Sequence, residues 1–64
     1  MAIREVMPEE LISRMDPKEW TLERYSNGEG FVVIDQSLCV PVFYANTLDE
    51  VNIYADAFGR HWSE

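Results

Sequence analysis

One cysteine, one histidine and five basic side chains are all that the 64 residues hold of the groups that most often carry chemistry or grip nucleic acid. A lone cysteine, Cys39, excludes an intramolecular disulfide and points to a reducing, cytoplasmic compartment. A lone histidine, His61, excludes a metal centre built from several imidazoles. The only glycine-rich stretch, Gly28-Glu29-Gly30, lacks the lysine and the following helix of a phosphate loop, so no cofactor is expected. Long apolar runs are also missing. The longest, Leu38 to Ala45, includes Pro41 and falls far short of the roughly 18 residues of a membrane span, so no membrane contact is expected. Arg4, Glu5, Glu9 and Glu10 interrupt the segment where a signal peptide needs its apolar core, and secretion is not expected either.

Acid is what the chain has in excess. Twelve acidic side chains against five basic ones give a formal charge of −7, a field that repels phosphate. Direct binding to DNA or RNA is therefore not expected, and a basic protein partner fits better. With 64 residues the chain forms one small domain, 1–64, whose core alone supplies only about 3 to 5 kcal/mol. Without disulfides or metal, a second copy or another protein is the remaining source of support.

The expected fold is α+β, a two-layer α-β-β-β-α arrangement. Pro8, Glu9 and Glu10 suit the first turn of a helix, Leu11, Ile12 and Met15 form its apolar stripe, and Asp16-Pro17 stops it. Asp16 to Glu19 reads as a single further turn, with the Asp16 carboxylate receiving the Glu19 N–H. Trp20 to Tyr25 reads as a strand, Ser26 to Gly30 as a hairpin turn, Phe31 to Asp35 as a second strand and Val40 to Ala45 as a third. Pro41 cannot donate to a ladder on both sides, which predicts an antiparallel meander with 31–35 central and 40–45 on an edge. Thr47-Leu48-Asp49-Glu50 is a capping box opening an amphipathic helix over 47–62, and Leu48, Val51, Ala55, Phe58 and Trp62 share the face that packs on the sheet.

Phe31 to Ile34 run apolar without a break, so both faces of the central strand want cover. Two short helices cannot supply all of it, and leftover apolar surface on a small protein marks an interaction site. The expected site is the open edge and face at Val42, Phe43 and Tyr44, joined by the outward face of the last helix. There Ile53 stands among Asp49, Asn52, Asp56 and Arg60, an apolar anchor ringed by charge.

The same residues read for chemistry give little. His61 late in a helix complements the dipole, and Cys39 at the start of an apolar strand reads as a buried structural thiol. A Cys39 and His61 nucleophile pair oriented by Asp35 is the third of three functional readings. The second is an acidic nucleic-acid mimic that blocks a DNA- or RNA-binding protein. The first is a non-enzymatic interaction or regulatory module that dimerises or binds a partner through its apolar edge and face. A short acidic chain with a helix, a meander and a capped amphipathic helix resembles, in size and style, the small accessory proteins of phages and mobile elements. That resemblance implies a regulator directed at a host protein.

Overall fold

The computed structural model describes residues 3–24 and 30–63. Along the chain come strand β1 (Arg4–Glu5), helix α1 (Glu9–Ile12), a 3-10 turn (Pro17–Glu19), strands β2 (Trp20–Arg24), β3 (Phe31–Asp35) and β4 (Val40–Ala45), helix α2 (Leu48–Ala55) and a second 3-10 turn (Asp56–Phe58). The four strands form one antiparallel sheet in the order β1-β4-β3-β2, with α2 packed on it, so the chain is α+β as expected. The expected turn over Ser26 to Gly30 lies, apart from Gly30, outside the described residues, as does Tyr25.

β3 lies between β2 and β4, and these three strands pair antiparallel as the composition and turns predict. A fourth was not expected. β1 pairs Arg4 with Tyr44 and Glu5 with Phe43, and the Val6 and Met7 N–H groups both donate to the Val42 carbonyl, at 2.9 and 3.3 Å. The outer edge of β4 is therefore covered rather than open. Pro41 is accommodated by a bulge. The pairing sum shifts between Val33 opposite Phe43 and Ile34 opposite Pro41, which leaves Val42 as an extra residue on β4. As a result the consecutive residues Val42 and Phe43 both enter the core, with Trp20, Val33, Ala45, Val51 and Ala55. Four aromatic rings close a loop across the elements. Trp20 meets Phe43 at 6.2 Å, Phe43 meets Tyr54 at 4.3 Å, Tyr54 meets Phe58 at 5.4 Å, and Phe58 returns to Trp20 at 5.2 Å. The one buried side-chain polar atom without a partner among the described residues is the Trp20 indole nitrogen.

The first helix is a single turn, and the 3-10 turn after it forms where Asp16-Pro17 predicts it. Its cap differs in detail. The Asp16 carboxylate accepts from Lys18 N at 3.0 Å, while Glu19 N donates to the Asp16 carbonyl at 2.8 Å. The capping box at Thr47 is realised, with Glu50 N donating to the Thr47 hydroxyl at 3.2 Å and the Glu50 carboxylate accepting from Asn46 N at 3.2 Å.

α2 does not reach Trp62. Gly59 adopts φ 81°, Gly59 N donates to the Asp56 carbonyl at 3.1 Å and Arg60 N to the Ala55 carbonyl at 3.0 Å. That pair of bonds is the Schellman stop, which needs a left-handed residue and so a glycine. Beyond it the chain folds back along the helix. Asn52, expected to face outward, is instead buried beneath the tail, donating to the Trp62 carbonyl at 2.9 Å and accepting from Trp62 N at 2.8 Å.

Asp35, the last residue of β3, is fully buried and organises the turn that follows. Its Oδ1 accepts from Ser37 N at 2.9 Å, Ser37 Oγ at 2.6 Å and Leu38 N at 3.1 Å, and its Oδ2 accepts from Asp16 N at 2.9 Å. The turn ends on Cys39 at φ 57°, with its thiol exposed, so the expected buried thiol is corrected. A left-handed non-glycine residue carries about 1 to 2 kcal/mol of steric strain, of which glycine's greater chain entropy cancels about half. Cys39→Gly is therefore expected to stabilise the fold by about 0.5 to 1 kcal/mol, read as a rise of a few degrees in thermal unfolding. A fall would show that the thiol's contact with the Gln36 carbonyl, at 3.5 Å, outweighs the strain.

Candidate functional site

Apolar side chains that stay exposed in a folded chain keep surface that the fold does not cover. Among the described residues the large ones are Ile53, 57% exposed, Ile12, 44%, and Phe58, 37%. They come from three different elements, yet all three line one groove of about 570 Å³. The groove forms because β1 lays its outgoing chain along β4, opposite α2, and α1 then closes one end. Met15 and Val42 contribute to its lining as well.

Glu5 is the only charged side chain among the described residues that line the groove. It hydrogen-bonds the Tyr54 hydroxyl, which also lines the groove. Burial pushes the Tyr54 hydroxyl above its ordinary pKa, and the charge and hydrogen bond of Glu5 push it the same way. The tyrosine thus stays neutral, and Glu5 supplies the charge among the described lining residues. Asp49 on α2 and Asp56 at the start of the 3-10 turn after it lie four residues before and three after Ile53, and both are exposed.

Of the six residues expected to bind a partner, the structure brings two, Val42 and Ile53, into this groove, with Asp49 and Asp56 beside it. Phe43 is fully buried in the core and is not surface. Tyr44 lies on the opposite face of the sheet, with the Arg4 guanidinium 5.2 Å from its ring centre. Ile12 and Phe58 were read as packing residues because their helical spacing fits a buried stripe. Both are instead partly exposed, Ile12 as the last residue of α1 and Phe58 as the last of the 3-10 turn that follows α2.

The proposed catalytic set is not assembled. His61 lies past the helix end with Nδ1 3.0 Å from the Asp56 carboxylate, Cys39 contacts Gln36, and Asp35 is occupied by its own turn. Arg60, expected on the outward face of the last helix, instead reaches back to the carbonyls of Pro17, Lys18 and Trp20. Among the described residues no three His, Cys, Asp or Glu side chains converge as metal ligands, and no helix is long and apolar enough to cross a membrane. No protein-family model matches the chain, nor does any curated protein or any solved structure.

Proposed function

We propose that this chain is a non-enzymatic protein-interaction module whose groove receives an amphipathic, basic segment of a partner protein. The convergence of Ile12, Ile53 and Phe58 on one concave surface carries the reading, since isolated exposed hydrophobics are ordinary and a clustered set is not. The apolar walls suit one face of a helix laid into the groove, which presents anchors at spacings of three and four. The charges suit a basic one: Glu5 within the groove and Asp49 and Asp56 beside it offer carboxylates to lysine or arginine flanking those anchors. A regulatory role by occupation of a host protein's basic helix is consistent with this chemistry.

A fluorescently labelled helical peptide of about three turns, with leucine anchors on one face and lysines beside them, is a suitable probe. Fluorescence anisotropy is expected to show saturable binding that Ile53→Asp weakens by at least about tenfold, because a carboxylate must then be desolvated against the leucines. Glu5→Gln is expected to weaken binding less and to flatten its dependence on salt. Equal binding by the Ile53→Asp protein would remove the groove from consideration.

A further inference from the structure

Both helices lie on one side of the sheet. Met7 and Met15, which flank α1, pack on the same core cluster as Val51 and Ala55 of α2. The reverse face follows from the strand register: Thr21, Glu23, Val32, Ile34, Pro41, Tyr44 and Arg4 alternate with the core residues. Among the described residues Val32 is the one buried hydrophobic side chain outside the core cluster, and Ile34 and Tyr44 are not among those packed against it. They belong to a second apolar stripe, and no helix among the described residues crosses it.

One rung of that face carries a pattern. Arg4 pairs with Tyr44, Tyr44 with Val32, and Val32 with Glu23, so a single row runs from cation through two apolar residues to anion. At the spacing of neighbouring strands its ends lie about 14 Å apart. A two-fold axis parallel to the strands reverses such a row. It lays Arg4 over Glu23 of a second copy, Glu23 over that copy's Arg4, and Tyr44 over its Val32. The row is complementary to itself, as an isologous interface requires.

We infer that the helix-free sheet face, through the exposed Arg4 and Glu23 at the ends of the row and the half-buried Tyr44, with Val32 already largely shielded between them, is a self-association surface on which two copies pack as a sheet sandwich. Aligned packing of twisted sheets supplies the geometry. With principal dimensions of 29 × 22 × 20 Å the molecule offers a small face, which places the dimer among weak ones, of about micromolar affinity or poorer. The inference concerns the face opposite the groove and stands independently of it.

Charge reversal tests it, read by sedimentation equilibrium from about 10 μM to about 500 μM. Arg4→Glu and Glu23→Arg are each expected to weaken the dimer by at least about tenfold, since each puts two like-charged contacts into one symmetric interface. The double variant is expected to return to within about threefold of the parent. Both side chains are exposed, so the fold tolerates the changes, which circular dichroism confirms. Net charge alone predicts something else: Arg4→Glu adds acid and Glu23→Arg removes it, so the two would act in opposite directions. Ile53→Asp is expected to leave the dimer intact. A strict monomer throughout the range, opposite effects of the two reversals, failure of the double variant to recover, or loss of the dimer in Ile53→Asp each overturns the inference.

Discussion

Asp35→Ala is expected to remove about 3 kcal/mol of stability, enough to leave a domain of this size close to unfolded at room temperature. The carboxylate is fully buried and receives four hydrogen bonds: from Ser37 N–H, Ser37 Oγ and Leu38 N–H on one oxygen, and from Asp16 N–H on the other. It therefore ties the turn between β3 and β4 to the turn that launches β2. Alanine leaves those donors unpaired. Asp35→Asn keeps one oxygen and turns the other into a donor aimed at a donor, and should destabilise by about half as much. Burial pushes the Asp35 carboxyl up, and the hydrogen bonds from Ser37, Asp16 and Leu38 outweigh it, so its pKa lies below the ordinary value. The sign follows. A lowered folded-state pKa contributes stability that is present above the unfolded value, near 4, and is lost as pH falls through the folded one. Urea unfolding at neutral pH and at about pH 3 should show the gap between parent and Asp35→Asn shrinking at the acidic end. A constant gap would mean that Asp35 acts through shape alone.

Arg60→Ala is expected to lower stability by about 2 to 3 kcal/mol. Its guanidinium donates to the carbonyls of Pro17 at 3.1 Å, Lys18 at 3.2 Å and Trp20 at 3.2 Å, and lies 4.8 Å from the centre of the Trp62 ring. Glu19 turns its carbonyl toward β3, to Gln36 N, so by the alternation of a strand the Trp20 carbonyl faces the outer edge of β2. Arg60 caps that edge and fastens the returning tail to it. Arg60→Lys keeps the charge but loses the planar fork, and should recover less than half of the loss. Thermal unfolding of the three proteins decides it, and full recovery by lysine would show that charge, rather than the fork, is what matters.

The legible parts of this fold were those written in local chemistry. The capping box at Thr47, the turn at Asp16-Pro17 and the three longer strands follow from residues next to one another. β1 was not legible, because Arg4 and Glu5 have no apolar alternation and owe their conformation to β4, far along the chain. The end of α2 was misread for a different reason. Trp62 fits the helical period by coincidence, and the period outweighed Gly59, whose positive φ is the actual stop. Asp35 reads in sequence only as the end of a strand, although Asp-x-Ser is the pattern in which a carboxylate collects the next backbone N–H groups. The groove was legible only in part: Ile53 stands out as an apolar residue among acids, whereas Ile12 and Phe58 fit the spacing of buried stripes and their exposure depends on contacts made far along the chain.

The β1 and β4 ladder is two residues long and joins segments distant in sequence, so closing it carries a large chain-entropy penalty for few bonds. It is the segment most prone to open while the central strands stay intact. Ile3, Glu5 and Met7 leave with it, and they form part of the groove. If the groove takes the guest proposed above, the apparent affinity is the intrinsic one scaled by the fraction of molecules whose clasp is shut, and a bound guest tightens the clasp in turn.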